Sequence, residues 1–184
     1  MRNRLLAVLA LALMPIAAAA QDDLEGKIGL TMGYPAAVGV IWQASDRLAL
    51  RPEFTVSRSS SELQTPGSTD TSGWIYGVGV SALFYLTNAD NLRTYISPRY
   101  SYSRSTTTST LTVLGTTTSN ELTSSGSSVI GSFGAQYAIG PRFSAFGEVG
   151  FGYTGLTSRS AISGIRSTSR TWGTRTGAGF ILYF

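Results

Sequence analysis

The sequence predicts an all-β fold, an eight-stranded antiparallel up-and-down transmembrane β-barrel. Three observations predict it: candidate strands alternate between apolar and polar residues, short and long connections alternate along the chain, and a secretory leader precedes them. In the segment 47–57, RLALRPEFTVS, the apolar residues occupy even positions and the charged residues odd positions. Successive side chains of a strand point to opposite faces, so this segment has one apolar face and one charged face.

Residues 1–20 are predicted to be a signal peptide. Arg2 and Arg4 form a positive n-region, an apolar run follows, and Ala18-Ala19-Ala20 ends in a small-residue cleavage pattern. The apolar run is interrupted by a proline and is shorter than the roughly 20 residues that a membrane-spanning helix needs. We therefore expect residues 21–184 to form one barrel domain, exported through the periplasm to the outer membrane of a Gram-negative cell, with no further domain after it.

Composition excludes several classes of function. The chain has no Cys and no His, which removes disulfides, His-based general base catalysis, Ser-His-Asp triads and His-ligated metals. We expect a protein that is not an enzyme, with no catalytic residues, no cofactor and no metal site. The net charge of +4, two units of which come from the leader, argues against nucleic acid as a partner. Only 13% of residues are charged, which is low for a soluble sandwich or lipocalin-like barrel.

Turn signals divide the chain after the leader into eight candidate strands. These are residues 26–33, 37–43, 47–57, 73–86, 92–104, 127–139, 142–155 and 171–184. The connections 44–46, 87–91 and 140–141 are short, whereas 58–72, 105–126 and 156–170 are long and rich in Ser, Thr and Gly. Short periplasmic turns and long external loops are typical of outer-membrane barrels. The connection around Pro35-Ala36 departs from this pattern, because it is short where a long loop is expected.

The apolar face of each strand is predicted to face lipid. It lacks charge in the central part of every strand, as expected where Arg or Lys costs about 2–4 kcal/mol at the bilayer midplane. Aromatic residues cluster near strand ends, where amphipathic rings prefer the headgroup level. The outer girdle would be Tyr34, Trp74, Tyr76, Tyr100, Tyr102, Tyr153 and Trp172, and the inner girdle Trp42, Phe84, Tyr137, Phe143 and Phe184. Pro52 and Pro98 lie within strands and cannot donate to the ladder, so we expect a bulge at each.

The opposite face is predicted to fill the lumen. Its charged residues are Lys27, Arg51, Glu53, Arg93, Arg99, Glu148 and Arg175, with Tyr85, Tyr95 and Phe146 adding bulk and inward glycines leaving room for the arginines. The interior of an eight-stranded barrel is only wide enough for side chains, so these groups must meet. A central network is expected from Arg51, Glu53, Arg99, Glu148 and Arg175. It is either a plug that pairs buried charges or a narrow, gated, weakly anion-preferring pore.

Two of the long connections suggest contacts outside the cell. The alternating Thr residues of 105–126 favour a hairpin that extends strands five and six, although the same composition suits a solvated disordered loop. Arg159, Arg166 and Arg170 have no acid nearby in sequence, and such a cluster would fit lipopolysaccharide phosphates or an acidic host surface. Simple solvation is the alternative.

Four segments carry a resemblance to a known family. The segments RLALRPEFTVS at 47–57, GWIYGVGVSALFYL at 73–86, FGEVGFGYTG at 146–155 and GTRTGAGFILYF at 173–184 resemble the small OmpA/OmpX-type barrels. The broader outer-membrane β-barrel domain family includes Ail-like and opacity-type surface proteins. Phe180, Leu182 and the terminal Phe184 resemble the signal read by the barrel assembly machinery.

The resemblance implies residence in the outer membrane, in contact with its lipid and lipopolysaccharide. It carries no ligand, because such families differ in their loops. We expect a structural or surface-interaction role, such as adhesion to a host ligand or envelope integrity, with a narrow channel for ions or small solutes as the alternative. A closed barrel has no free edge, so we expect a monomer.

Overall fold

The computed structural model describes residues 26–34, 37–64, 68–89, 91–113, 116–161 and 164–184. The predicted leader lies outside the described residues. The strands are β1 (Ile28–Tyr34), β2 (Ala37–Ser45), β3 (Leu48–Gln64), β4 (Ser68–Ala89), β5 (Leu92–Val113), β6 (Thr116–Gly140), β7 (Phe143–Ser160) and β8 (Arg166–Tyr183). Each strand pairs antiparallel with the next, and β8 pairs with β1 to close the barrel. The predicted fold class is confirmed.

The barrel has two unlike ends. At one end, called the turn end here, short connections follow Ser45, Ala89 and Gly140, and the ladder shifts register just before each of them. A bulge next to a tight turn lets the strand twist into it. At the other end, called the hairpin end, the strands continue far beyond the predicted boundaries.

The predicted long loops are mostly strand, which corrects the boundaries given above. The β3–β4 ladder runs to Gln64↔Ser68, β5–β6 to Val113↔Thr116 and β7–β8 to Arg159↔Arg166. Threonine favours extended backbone and its hydroxyl bonds across the ladder, as between Thr112 and Thr117 at 3.1 Å. For the described part of 105–126, the extended hairpin is therefore right and the disordered loop is wrong.

The expected bulges at Pro52 and Pro98 are also wrong. Pro52 faces Val80 and Pro98 faces Gly131 in unshifted register. In the described ladder with the other neighbouring strand, β2 for Pro52 and β4 for Pro98, two pairs are missing at the proline and the pairing then continues in the same register. A missing N–H removes hydrogen bonds on one side of the strand only, and the intact ladder on the other side holds the register.

The two faces of the wall have opposite character. Outward side chains are apolar and exposed around the barrel, and aromatic pairs stack on this surface. The pairs are Trp74–Tyr76, Phe151–Trp172 and Phe143–Phe180, with ring centroids 5.3–5.9 Å apart. Inward side chains are buried or half-buried and close the lumen at the turn end. Within the described part of the chain, no helix has the length and apolar character needed to cross a membrane.

The wall is uneven in height. The last described pair between β1 and β8 is Tyr34↔Ala178, and the last between β2 and β3 is Val38↔Phe54. Beyond these pairs, β3 and β8 continue with a partner among the described residues on one side only. We call the resulting gap the notch, bordered by residues 56–64 of β3 and 166–176 of β8, with the β1–β2 hairpin at its base.

Candidate functional site: the charged lumen

Four strands bring charged side chains to one level of the lumen. Arg51 and Glu53 lie two residues apart on β3, so both point inward. Arg99 comes from β5, Glu148 from β7 and Arg175 from β8.

Three ion pairs join four of these side chains in a chain across the barrel. Glu53 binds both Arg51 (Nε–Oε1, 3.1 Å) and Arg99 (Nη2–Oε2, 2.5 Å). Arg51 also donates from Nη2 to Glu148 Oε1 at 2.6 Å, and the Tyr95 hydroxyl donates to the same oxygen at 2.8 Å. Shared partners of this kind offset the large desolvation penalty of buried charge. The structure thus brings Arg51, Glu53, Arg99 and Glu148 together.

Arg175 lies beside the chain of ion pairs without joining it. It lines the same cavity as Arg51, Glu53, Arg99 and Glu148. No carboxylate among the described residues is within ion-pair distance of its guanidinium. The lumen layer therefore holds three arginines against two glutamates.

Two other inward cations lie nearer the turn end. Arg93 donates from Nη2 to the carbonyl oxygen of Asp46 at 2.5 Å, and its guanidinium lies 3.8 Å from the Tyr85 ring centroid. Lys27 precedes β1 and is half-buried. Arg93 is thus held by a turn carbonyl and an aromatic face, outside the central network.

A packed layer closes the lumen between the charged layer and the turn end. Tyr85 donates to Gln136 Oε1 and Gln136 Nε2 donates to the Tyr183 hydroxyl, both at 3.0 Å. The Tyr95 ring packs edge-on against Tyr85. The other fully buried apolar members are Ile41, Ala49, Leu83 and Ile181. We call this set the closing layer.

Two of the inward glycines, Gly134 and Gly179, make room for aromatic rings rather than for the arginines. A Cβ at Gly134 would lie 2.5 Å from the Tyr95 ring, and one at Gly179 would lie 2.8 Å from the ring of Phe146. These distances are far below van der Waals contact, so both rings occupy the space that a larger residue would fill. Phe146 in turn lies under the Arg51 guanidinium, 5.0 Å from its ring centroid. The expected use of these glycines is therefore corrected.

The remaining predicted sites lie on the wall. Arg159 and Arg166 face each other at the end of the β7–β8 ladder and Arg170 faces Gly155, all exposed and within strands rather than in a loop. Phe180 and Leu182 point outward on β8, followed by the exposed Phe184. Their binding and assembly roles stay predictions.

Sequence reasoning missed two buried glutamines, Gln136 of the closing layer and Gln43. Gln43 and Gln136 share the inward phase of their strands and are fully buried. An uncharged amide on an inward face is the signal that points to them, because a buried amide needs partners.

Among the described residues, no three acidic side chains cluster in a way that could hold a metal ion.

The architecture is similar to that of solved outer membrane proteins. CarO of Acinetobacter baumannii is 15% identical with a TM-score of 0.48, over 87% of this chain and 98% of that chain. A major outer membrane protein from Thermus thermophilus is 13% identical with a TM-score of 0.48, over 86% and 98%. Ail, the attachment invasion locus protein of Yersinia pestis, is 14% identical with a TM-score of 0.42, over 87% and 99%.

No protein-family model matches the sequence, and no curated protein matches it at a significant level. At these identities the likeness concerns the fold alone, and no residue's role is carried over. The closed ring of eight antiparallel strands confirms the resemblance to small eight-stranded outer-membrane barrels at the level of architecture.

Proposed function

We propose that this chain is an integral outer-membrane β-barrel without enzymatic activity, which acts through its hairpins at the cell surface. The observation that carries this proposal is the contrast between a filled lumen and long outer ladders. The buried side chains of the closing layer fill the lumen. Three hairpins, by contrast, extend beyond the aromatic residues of the hairpin end.

The outward surface supports the membrane placement. Exposed apolar side chains surround the barrel, and exposed apolar area of this extent needs a cover such as lipid. Trp74 and Trp172 lie near the hairpin end, stacked on neighbouring aromatic rings, while Trp42 and Phe184 lie near the turn end. Two aromatic belts on an apolar wall match the two headgroup levels of a bilayer.

The β5–β6 hairpin is the largest surface element. From Tyr102↔Ser127 to Val113↔Thr116 it continues for about 35 Å along the strands, at about 3.3 Å per residue. Every described pair in this stretch contains at least one Thr or Ser side chain. A preformed ladder loses less conformational entropy on binding than a flexible loop does, which favours recognition of a partner by this hairpin.

The β7–β8 hairpin is suited to an anionic partner. Arg159 and Arg166 are directly opposed, and like charges in that position destabilise a ladder. A phosphate between the two guanidiniums would turn this repulsion into charge-assisted hydrogen bonds. We infer that lipopolysaccharide phosphates of the surrounding leaflet are the ligand of this hairpin.

A narrow channel is the second candidate function. The observation that favours it is that Arg51 bridges Glu53 and Glu148, so that one arginine could exchange partners as the layer opens. The closing layer opposes it, because conduction would require several buried side chains to move together.

The proposal is tested by shortening one hairpin at a time. Replacing 105–126 with a two-residue turn should abolish adhesion of expressing bacteria to a host-cell monolayer, with surface expression unchanged. The matched variant, Arg159→Gln with Arg166→Gln, should keep adhesion but weaken binding of the refolded barrel to purified lipopolysaccharide about tenfold. Unchanged adhesion after loss of 105–126 would refute the surface role of this hairpin.

A further inference from the structure

The notch interrupts the barrel wall on one side. Only residues 35 and 36 join Tyr34 to Ala37, whereas β3 and β8 continue to Gln64 and from Arg166. β1 and β2 lie between β3 and β8 in the ring, and both end at the base of this space. The facing edges of β3 and β8 have no described ladder partner across this space.

The notch lies within the apolar belt if the barrel is placed in the membrane as proposed above. Trp172, at the outer aromatic level, is six residues beyond Ala178, the partner of Tyr34. Six residues span about 20 Å along a strand, or about 14 Å of depth at a tilt of about 45°. The prediction that Tyr34 belongs to the outer aromatic girdle is therefore wrong, because β1 ends well below the level of Trp172. The apolar belt of such barrels is about 25 Å tall, so the notch opens into its outer half.

An open strand edge at this depth requires a polar occupant. Unpaired backbone N–H and C=O groups are not tolerated against hydrocarbon, and persist only where water or protein or a polar ligand group satisfies them. The notch must therefore hold something that forms hydrogen bonds.

A small cavity lies directly behind the notch. Its volume is about 30 Å³, and Tyr34, Thr176 and Gly177 line it together with Arg175. Tyr34 and Thr176 lie in the outward phase of their strands. The backbone oxygen of Tyr34 would lie 3.5 Å from a Cβ at Gly177, so the cavity adjoins the end of β1 at the base of the notch, and its size suits about two water-sized groups.

The charge of this cavity calls for an anion. Three arginines and two glutamates line it, and Arg175 lacks a carboxylate partner among the described residues. In addition, Arg51 Nη1 is a buried donor without a hydrogen-bond partner, on a residue that is only 1% exposed. An incoming carboxylate would supply the missing negative charge and accept these hydrogen bonds.

We propose that the notch is a lateral opening that binds a single-chain anionic amphiphile from the outer leaflet. The carboxylate lies in the cavity beside Arg175, and the alkyl chain leaves through the notch over Tyr34 to the apolar outer surface at Met32 and Phe180. A carboxylate matches the cavity volume, whereas a phosphorylated sugar headgroup is far too large for it. One alkyl chain is narrow enough for a gap left where two strands end, since neighbouring strands lie about 4.8 Å apart.

The test uses Trp172 as a reporter on the strand that borders the notch. Trp42→Phe and Trp74→Phe leave it as the only tryptophan, and the refolded barrel is studied in phosphatidylcholine nanodiscs. The probe is 9,10-dibromostearate, with its uncharged methyl ester as the matched amphiphile. We expect quenching of Trp172 fluorescence by the acid to saturate at one molecule per barrel. Quenching by the ester should instead rise in proportion to the amount of ester added, at low amounts.

Two variants and two matched controls locate the site. Arg175→Gln should weaken binding of the acid at least tenfold, and Gly177→Leu should abolish it by filling the cavity from the same strand. Arg104→Gln, an exposed arginine on β5, and Gly131→Leu, on the outward face of β6 where a Cβ meets nothing within 4 Å, should bind as the parent does. The ester comparison needs no variant, so the test survives poor folding of any of them.

Several outcomes would overturn the proposal. Equal behaviour of acid and ester would mean that the charge is not read, and linear quenching by both would mean that water alone fills the notch. Full binding by a folded Arg175→Gln barrel would remove the cation from the site. A stable dimer without saturable quenching would place a second copy in the notch. Absence of any quenching would mean that Trp172 is not in lipid, which would refute the membrane placement as well.

Discussion

Arg51 and Glu148, 97 residues apart in sequence, form an ion pair of 2.6 Å across the lumen. Arg51 is held at the same time by Glu53 on its own strand, and Glu148 by the Tyr95 hydroxyl. One buried arginine thus ties β3 to β7, on opposite sides of the ring. This cross-barrel contact gives the lumen a structural role that is independent of any transport.

Glu148→Gln should destabilise the barrel strongly. The substitution keeps the side chain's shape but removes the charge opposite Arg51, and breaking a buried pair typically costs about 3–5 kcal/mol. The free energy of unfolding is measured by urea denaturation of the refolded protein in detergent micelles. Glu121→Gln, an exposed glutamate on β6, is the control and should change stability by less than about 0.5 kcal/mol. Equal effects of the two variants would contradict a stabilising role for the pair.

Gly134→Ala should also be destabilising, for a steric reason. Its new Cβ would lie 2.5 Å from the Tyr95 ring, which is itself buried in the closing layer and hydrogen-bonded to Glu148. Overpacking of this kind costs about 1–3 kcal/mol. Gly131→Ala, three residues away on the outward face of β6 with nothing within 4 Å, should be neutral or slightly stabilising. The midpoints of urea unfolding of the two variants are compared. A midpoint for Gly134→Ala at or above that of Gly131→Ala would contradict the predicted steric clash with Tyr95.

The faces of the strands could be predicted from sequence because alternation is a local property. The inward phase of Arg51, Glu53 and Arg99 follows from period two alone. The height of each strand could not be predicted in the same way, since Ser- and Thr-rich stretches such as 105–126 suit a loop or a strand equally well. The outcome depends on whether the neighbouring stretch offers a matching ladder.

The partners within the lumen could not be predicted from phase alone. Arg93 and Arg175 point inward like Arg99, yet Arg93 reaches a turn carbonyl and Arg175 faces the cavity. Which inward residues share a level depends on the stagger of the strands around the ring, and alternation does not encode that stagger. The notch likewise follows from the difference in length between β1 and β8, which emerges only once the outer ladders form.

The refolded barrel should show no discrete conductance steps in a planar bilayer, because the closing layer fills the lumen. Removing two of its members, with Leu83→Ala and Tyr183→Ala together, should open a water-filled path and produce salt-dependent steps. Tyr102→Ala, an outward tyrosine at the hairpin end, is the control and should stay silent. Steps from verifiably folded wild-type protein would favour the channel over the surface role.

Loss of the terminal aromatic side chain should impair assembly in the cell without weakening the barrel. Phe184 is 73% exposed, so its ring contributes little to packing, while its backbone N–H donates to the carbonyl oxygen of Ile28 at 3.0 Å. Phe184→Ala keeps that hydrogen bond and removes only the ring, which makes it a cleaner test than deletion of the residue. Quantitative immunoblotting of outer-membrane fractions should then show several-fold less assembled protein, and circular dichroism of the refolded variant in detergent should show unchanged strand content. Tyr137→Ala, an outward aromatic residue also near the turn end, serves as the comparison and should assemble normally. Normal surface levels of Phe184→Ala would show that the terminal ring is not read by the assembly machinery, whereas equal losses in both variants would trace the defect to the missing aromatic belt.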